Sequence, residues 1–415
     1  MAEPTRPTRA EIDLDAVAAN VRVACGLAGA GSAVMAVVKA DAYGHGAVPV
    51  ARAALAAGAT WLGVAMPEEA AVLRAAGIGS RILILGPIAP SQAGLVARHD
   101  LDQCVSDPAQ AEVLSRVATS AGRSLRLHLK VDTGMGRVGV SLREVGPAAA
   151  RIAALPAVRL AGLMTHFAES DAEDPGFTRE QLARFATATD ALRAAGVPIP
   201  LCHAANSAAL LRHPDARLDL VRPGIMLYGC HPCDRRHPND PTLAPALRFR
   251  TVVSHLKDLP AGGSVSYGRT FVAPRDLRIA TLPVGYADGL ARLLSGQGQV
   301  LIGGQRVPIV GRVCMDMTMV DVTRVPDVRV GDEAVLIGRQ GAEEITVDEI
   351  AALTGTISYE VLCRVGAIDP RDARSRRTFL TSPTGQNYSA IVSRRTRLSE
   401  PAQAIASARD RRMGP

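Results

Sequence analysis

Residues 33–46 of this 415-residue chain read AVMAVVKADAYGHG. The first six residues are all apolar, and they end at Lys39, where a segment containing two glycines begins. A short run that is apolar at every position, and not only at alternate positions, is typical of a strand buried on both faces of a parallel sheet. The stretch therefore predicts a buried strand that carries a lysine to its carboxyl end.

Seven further short runs that are rich in apolar residues follow in the first half of the chain, at residues 61–65, 81–85, 101–105, 125–131, 160–165, 200–204 and 218–221. Alanine-rich amphipathic segments lie between them, most clearly at 110–121 and 179–195, and predict helices. Eight β/α units within about 250 residues favour a (β/α)8 TIM barrel, an α/β fold. A doubly wound open sheet is the competing arrangement.

The texture of the sequence changes near residue 246. Segments of alternating polarity, separated by glycine and proline turns, predict a C-terminal all-β domain; they lie at 250–256, 277–282, 299–302, 306–309 and 333–337. We therefore divide the chain into an N-terminal extension (1–10), a barrel (11–245), a β domain (246–368) and a basic tail (369–415) that we expect to be disordered.

The positive charge of the chain is concentrated at its end. From Gly366 onward there are ten arginines and four acidic residues, a net charge of +6 out of +7 for the whole chain. The rest is close to neutral, which argues against a nucleic-acid partner, and a solvated tail is favoured over a tether to an anionic surface. The polar N-terminus and the lack of a long apolar stretch predict a soluble, cytoplasmic protein with no membrane partner.

Seven cysteines are scattered through the chain, which argues against a disulfide framework. Cys230 and Cys233 form a C-x-x-C pair with His231 between them. No second pair occurs at zinc-finger spacing, so we predict a plain loop there and no metal.

Candidate site residues end or follow five of the eight predicted strands. They are Lys39 at the first, Lys130 and Asp132 at the fifth, His166 at the sixth, Asn206 and Ser207 at the seventh, and Arg222 and Gly224 at the eighth. In a TIM barrel these positions converge on one mouth, where active sites lie. Burying a charged lysine is costly, so Lys39 either extends to solvent or uses its amine in Schiff-base chemistry. Position alone leaves these two alternatives open.

Residues 37–46, VVKADAYGHG, resemble the pyridoxal-phosphate attachment motif of the alanine racemase family. Eight more segments resemble the family in the same order: KVDTGMGR (130–137), LMTHF (163–167), HAANS (203–207), VRPGIMLYG (221–229), VSYGRT (265–270), PVGYADG (283–289), GRVCMD (311–316) and YEVLCRV (359–365). The resemblance extends from about residue 10 to residue 365. Beyond Val365 the sequence departs from the family pattern and continues into the long basic tail.

The resemblance implies an isomerase that interconverts L- and D-alanine, supplies D-alanine for peptidoglycan and uses pyridoxal 5'-phosphate. Lys39 would hold the cofactor as a Schiff base and act as one base, with Tyr267 as the other. Tyr43, Ser207, Tyr359 and the backbone amides of Gly224 and Ile225 would bind the phosphate, with Asn206 beside them. His166 would pack on the pyridine ring.

The resemblance also places Arg222 at the pyridine nitrogen. Arginine can only donate a hydrogen bond, so that nitrogen would stay unprotonated and the ring would be a weaker electron sink, as suits an enzyme that must avoid transamination. A tyrosine normally ionises near pH 10, so its use as a base needs cations nearby. His166 and Arg222 are expected to supply them.

For the substrate, the resemblance implies that Arg137 and the backbone amide of Met315 bind the carboxylate. Tyr286 and Tyr359 would narrow the entrance. Lys130 would be carbamylated to give Arg137 an anionic neighbour, although Asp132 could supply part of that charge. The family forms a head-to-tail homodimer, so Tyr267, Tyr286, Cys314, Met315 and Asp316 would line the site of the other subunit.

Three other functions remain open on the sequence alone. A racemase of serine or of several small amino acids would share the core motifs. A decarboxylase of the same architecture would keep a carboxylate, and not Arg222, at the pyridine nitrogen. A non-catalytic pyridoxal-phosphate carrier would have no use for Tyr267.

Overall fold

The computed structural model describes residues 6–198, 201–233, 235–365 and 371–374. A first strand, β1 (Arg9–Asp13), precedes eight strands that form one parallel sheet. These eight are β2 (Ala33–Val37), β3 (Trp61–Val64), β4 (Arg81–Ile84), β5 (Asp102–Val105), β6 (Leu125–Lys130), β7 (Val158–Met164), β8 (Cys202–His203) and β9 (Leu220–Val221). Each corresponds to one of the eight apolar runs.

The eight strands close into a barrel. Their order in the sheet is β8-β7-β6-β5-β4-β3-β2-β9, and every pairing is parallel. The two outer strands are joined by backbone hydrogen bonds from the Asp219 amide to the Cys202 carbonyl (3.1 Å) and from the Arg222 amide to the Ala205 carbonyl (2.9 Å). The predicted TIM barrel is therefore confirmed, and the open sheet is excluded.

Helices connect the barrel strands, as the parallel order requires. They are α1 (Leu14–Ala28), α2 (Lys39–Tyr43), α3 (Ala47–Ala56), α4 (Pro67–Ala75), α5 (Ala93–Arg98), α6 (Pro108–Ser120), α7 (Val145–Ala153), α8 (Gly176–Ala194) and α9 (Ser207–Arg212). The predicted helices at 110–121 and 179–195 correspond to α6 and α8. Asp107 caps α6 by accepting a hydrogen bond from the Ala109 amide (2.7 Å), and Pro108 occupies the first helical turn.

The C-terminal domain is rich in antiparallel strands. They are β10 (Leu247–Val252), β11 (His255–Leu259), β12 (Ser264–Val265), β13 (Phe271–Val272), β14 (Leu277–Leu282), β15 (Gln299–Ile302), β16 (Gln305–Pro308), β17 (Thr318–Asp321), β18 (Glu333–Gln340) and β19 (Glu343–Ile345). The predicted segment 250–256 proves to be parts of two strands, because the chain leaves β10 after Val252 and begins β11 at His255. The largest sheet has the order β16-β15-β18-β10-β1 and then β20 (Arg371–Arg374).

The helical content of this domain differs from the sequence-based expectation. The domain ends in two helices, α10 (Val347–Thr354) and α11 (Ser358–Val365), so it is strand-rich and not purely β. The first of these begins where the Thr346 hydroxyl accepts a hydrogen bond from the Glu349 amide (3.0 Å). The domain also includes β1, which crosses the boundary drawn at residue 10, and β20, which lies beyond residue 369.

The domain limits stay a prediction. The expected disorder of the tail concerns residues that, apart from 371–374, lie outside the described ranges.

The turn after β2 has an unusual backbone conformation. Ala40, Asp41, Ala42 and Tyr43 all have φ between 51° and 56°, so α2 is a left-handed turn formed without glycine. Left-handed backbone costs an L-residue roughly 1–2 kcal/mol, so other contacts must hold the turn. The Glu69 carboxylate accepts a hydrogen bond from the Ala40 amide (2.6 Å) and from the Ala65 amide (2.7 Å), and the Asp41 carboxylate accepts one from the Ala47 amide (2.6 Å).

A pair of alanine-to-glycine substitutions tests this strain. Ala40 is exposed and left-handed, so Ala40→Gly should raise the free energy of unfolding by about 1 kcal/mol. Ala186 is exposed in the middle of the right-handed helix α8, so Ala186→Gly should lower it by about 0.5–1 kcal/mol. Urea unfolding of both variants measures the two signs. Destabilisation of equal size in both would contradict a strained turn at residue 40.

Candidate active site

One pocket at the barrel mouth brings together most of the predicted site residues. Eleven of them line it: Lys39, Tyr43, Lys130, Arg137, His166, Asn206, Ser207, Arg222, Gly224, Ile225 and Tyr359. Ten of these come from the barrel. Tyr359 comes from α11, so the C-terminal domain completes the wall of the pocket.

Lys39 lies at the start of the left-handed turn and reaches into this pocket. Burial lowers the pKa of its ammonium group, and the nearby charge of Arg137 lowers it further, although Glu69 and Cys363 oppose the shift. A lowered pKa increases the share of the neutral amine, which is the form that attacks a carbonyl. Of the two alternatives for Lys39, the use of its amine therefore fits the pocket better than extension to solvent.

Hydroxyls and backbone amides cluster at one end of the pocket. The Gly224 amide donates a hydrogen bond to the Ser207 hydroxyl (2.8 Å), and a Cβ atom on residue 224 would lie 2.5 Å from the Tyr43 hydroxyl oxygen. Only glycine therefore lets Tyr43 approach this backbone. Burial raises the pKa of Tyr359 to about 12 and raises that of Tyr43 as well, so both phenols keep their protons as hydrogen-bond donors. Such a donor set suits a phosphate group.

Asn206 supports this end of the pocket from within the protein. Its side-chain oxygen caps α9 by accepting a hydrogen bond from the Ala209 amide (2.9 Å), and it also accepts one from the Ser170 hydroxyl (3.0 Å). The side-chain oxygen of Asn206 thus holds Ser207 at the first position of the helix.

Arg222 is buried, with 4% of its surface exposed. Its guanidinium donates hydrogen bonds to the Thr165 and Ala204 carbonyls (both 2.8 Å) and to Nδ1 of His203 (3.1 Å). Burial lowers the pKa of Arg222 to about 10, so the side chain stays charged near neutral pH. His166 contacts the same guanidinium through Nδ1 (3.4 Å).

His166 differs from the expectation that it supplies positive charge. Burial lowers its pKa well below the usual value, and Arg222, Lys130, Arg137 and Lys39 lower it further, because all four are cations. The imidazole is therefore neutral. Arg222 remains the charged one of the two residues that were expected to assist a tyrosine base.

Lys130 and Arg137 line the pocket together. Within the described ranges, no carboxylate lies within ion-pair distance of either side chain, and Oδ1 of Asp132 accepts hydrogen bonds from the Gly134 (2.9 Å) and Gly136 (3.1 Å) amides of its own loop. Burial lowers the pKa of Lys130, and so do the charges of Arg137 and Arg222. Asp132 thus pairs with its own loop, and the pocket contains two neighbouring basic groups.

The five residues predicted for the other subunit's site, Tyr267, Tyr286, Met315, Cys314 and Asp316, do not line the pocket of their own chain. The exposed fractions of the first three are 73%, 43% and 54%. The Tyr286 amide donates a hydrogen bond to the Cys314 carbonyl (3.0 Å) and the Ala287 amide donates one to the Met315 carbonyl (3.0 Å), which joins two of the loops. The Ser266 hydroxyl, next to Tyr267, donates a hydrogen bond to the Arg312 carbonyl (2.7 Å) and joins the third. We call the surface formed by Tyr267, Tyr286 and Met315 the β-domain patch.

Sequence reasoning missed several residues that shape the pocket. The Tyr228 hydroxyl donates a hydrogen bond to the Val37 carbonyl (2.8 Å), and its ring packs on Tyr43 with centroids 4.8 Å apart. His203, which binds Arg222, belongs to the HAANS motif, but only Asn206 and Ser207 received roles. Its place in that motif was the available signal.

The C-x-x-C segment lies outside the pocket. Cys230 and Cys233 are buried free cysteines, and His231 between them pairs with Asp240 (2.9 Å), which in turn binds Arg212. His231 therefore anchors the loop to Asp240. Across the described residues, no helix is both long and apolar enough to cross a membrane.

Comparison with known proteins agrees with this architecture. Residues 12–232 match the family model described as "Alanine racemase, N-terminal domain", and residues 246–373 match "Alanine racemase, C-terminal domain". The chain is 50% identical to an alanine racemase of Symbiobacterium thermophilum, with 88% of this chain and 97% of that protein covered. It is 46% identical to one of Halothermothrix orenii, with 90% and 98% covered.

Solved structures give the same result. The alanine racemase from the D-cycloserine producer Streptomyces lavendulae superposes with a TM-score of 0.83 at 39% identity, covering 91% of this chain and 98% of that one. The enzyme from Streptomyces coelicolor gives 0.82 at 40% identity, covering 88% and 98%. The nine ordered motifs and the barrel with its strand-rich partner domain thus have one explanation: the chain belongs to the alanine racemase family of isomerases.

Proposed function

We propose that the protein interconverts L- and D-alanine with pyridoxal 5'-phosphate as its cofactor and with Lys39 and Tyr267 as bases on opposite faces of the α-carbon. Bound pyridoxal phosphate supplies a carbonyl carbon for amines and a ring that withdraws electrons from the α-carbon, which makes the α-proton acidic. The observation that carries the proposal is the pocket itself, where Lys39, a lysine of lowered pKa, lies in one pocket with hydrogen-bond donors that suit a phosphate. Family membership supports the same activity.

The pocket fits the cofactor at both ends. The Tyr43 and Tyr359 hydroxyls, the Ser207 hydroxyl and the backbone around Gly224 are donors suited to a phosphate dianion. At the other end, Arg222 is a buried cation that can only donate. A ring nitrogen beside it would accept a hydrogen bond and stay unprotonated, which limits side reactions such as transamination.

Lys39 moves protons in this scheme. Its lowered pKa lets the amine take up the α-proton of D-alanine and return it from the same face. Arg137 binds the substrate carboxylate. We propose that the Lys130 amine reacts with carbon dioxide, forming an N–C bond and releasing one proton, so that the resulting carbamate neutralises Arg137. Within the described residues no carboxylate forms an ion pair with either side chain, and Asp132, whose charge acts on Lys130, bonds its own loop, which supports this.

The proposal takes the second base from another copy of the chain. Tyr267 is 73% exposed and does not line the pocket of its own chain. Large apolar residues exposed together are typical of interfaces. We therefore propose a homodimer in which the β-domain patch of one subunit covers the barrel mouth of the other. Tyr267 would then take the α-proton of L-alanine, Met315 would bind the substrate carboxylate with its amide, and Tyr286 would narrow the entrance for small side chains.

Reduction with borohydride tests the cofactor assignment. We expect one covalent label per chain, on Lys39. The position of its amine, in the pocket lined by donors that suit a phosphate, is the one that suits a Schiff base. Peptide mapping after reduction of the cofactor-loaded protein locates the label, and Lys39→Arg serves as the unlabelled control. A label on Lys130 would contradict the assignment.

Complementation tests the shared site. Lys39→Ala and Tyr267→Phe should each be nearly inactive, and Tyr267→Phe should lose α-proton exchange in heavy water mainly for L-alanine. When the two variants are refolded together, random pairing gives about half mixed dimers, each with one intact site, so activity should recover to roughly a quarter of the wild-type value. Folded mixed dimers without recovery would mean that both bases belong to one chain.

A further inference from the structure

A chain of four buried polar side chains crosses the interior of the barrel. It runs from Asp102 on β5 through His128 on β6 and His203 on β8 to Arg222 at the pocket. Asp102 Oδ2 is 3.3 Å from His128 Nε2, His128 Nδ1 is 2.9 Å from His203 Nε2, and His203 Nδ1 is 3.1 Å from the Arg222 guanidinium. The first three residues are fully buried and Arg222 is nearly so.

The order of donors in this chain follows from its last member. Arginine has no acceptor, so His203 Nδ1 must accept from Arg222. Burial lowers the pKa of His203 well below its usual value, so the ring is neutral and its proton lies on Nε2. That proton is donated to His128 Nδ1. Burial also lowers the pKa of His128, so this ring has a single proton, on Nε2, which is donated to Asp102.

The far end of the chain is an anion held by two arginines. The Asp102 carboxylate accepts a hydrogen bond from Arg126 Nε through Oδ1 (2.6 Å) and pairs with Arg81 through Oδ2. Burial by itself would raise the pKa of Asp102, but the hydrogen bonds from His128 and Arg126 and the charge of Arg81 lower it. Asp102 therefore stays ionised, and its negative charge faces His128. We call the four side chains from Asp102 through His128 and His203 to Arg222 the relay.

The barrel strands leave room for the His128 side chain. A Cβ atom on residue 162 of β7 would collide with Nδ1 of His128, so a glycine stands there. The pairing of β6 with β7 shifts register between Leu127 and His128. Trp61 packs its ring edge-on to His128 with centroids 5.7 Å apart, and the Arg81 guanidinium lies 3.7 Å from the centre of the Trp61 ring. The ring of His128 is thus held by Trp61 as well as by the hydrogen bonds at its two nitrogens.

We propose that Asp102 is a positioning residue for Arg222, acting through His128 and His203 as neutral Nε2–H tautomers. The carboxylate aligns the two imidazoles so that an acceptor always faces the guanidinium, which fixes the orientation of Arg222 and its strength as a donor into the pocket. The consequence for catalysis rests on the proposed function, in which Arg222 faces the cofactor. The order of hydrogen bonds does not depend on it.

Histidine NMR tests the relay without any assay of activity. In holoenzyme labelled with ¹⁵N only in histidine, both rings should give the pattern of a neutral Nε2–H tautomer. Loss of signals in His128→Gln and His203→Gln assigns them. A doubly protonated ring, or an Nδ1–H tautomer at either position, would overturn the proposal. If a variant does not fold, the ¹⁵N–¹⁵N coupling across the His203 Nε2–H···Nδ1 His128 hydrogen bond (2.9 Å) identifies the two rings in the wild-type protein, and absence of that coupling would also overturn the proposal.

Substitution of the carboxylate tests the consequence for catalysis. Asp102→Asn leaves one acceptor oxygen where Arg126 on one side and Arg81 with His128 on the other need two, so the histidine signals should show mixed tautomers. We expect kcat for alanine racemisation to fall about tenfold, with KM within about twofold, because Arg222 faces the cofactor and not the substrate. Altered tautomers together with an unchanged kcat would remove the role in catalysis, and unchanged tautomers would remove the relay.

Asp100→Asn is the matched control. Asp100 also binds Arg126 (2.9 Å), but its side chain is 60% exposed and lies outside the relay. The control should keep both the histidine signals and kcat. Loss of kcat in the control would mean that the ion pairing of Arg126, and not the relay, matters. A protein that did not racemise alanine would leave the NMR result intact, so failure of the proposed function and failure of the relay are distinguishable.

Discussion

The parallel hydrogen bonding of eight short strands is the constraint on which the pocket depends. Because every strand in the barrel points the same way, residues that follow different strands meet at one rim. The two bonds that join the outer strands matter most, since the Arg222 amide makes one of them with Ala205. The hydrogen bond that closes the barrel thus also places Arg222 next to His203.

The rim collects positive charge. Lys39, Lys130, Arg137 and Arg222 line one pocket, and within the described ranges none of them has a carboxylate at ion-pair distance. Two of them, Lys130 and Arg222, are buried, and cations that are removed from water without an ionic partner are costly, so such a pocket is stabilised by anions. The phosphate and carboxylates of the proposed cofactor and substrate, together with a carbamate on Lys130, would supply that charge. Burial lowers the pKa of His166, and the charges of these four cations lower it further.

Much of this was predictable because it rests on local pattern. Short runs rich in apolar residues predicted the strands, and their ends located Lys39 and His166. Asp102 and His128 escaped notice because a polar residue inside an apolar run acquires meaning only when the facing strands are known. The helix beginning at Val347 was missed although Thr346 and Glu349 have capping-box spacing. The left-handed turn at 40–43 had no signal, since its residues are not glycine.

The pairing of β1 with β10 has a consequence for synthesis of the chain. Arg9 pairs with Arg250 and Ile12 with Leu247, so a strand made at the start finds its antiparallel partner only when some 235 more residues have been added. At the usual rate of translation this takes roughly ten to fifty seconds. The whole barrel can emerge from the ribosome in that time while the first strand stays unpaired. A nascent chain stalled between the domains would thus expose a bare strand edge, which is the kind of surface that chaperones shield from aggregation.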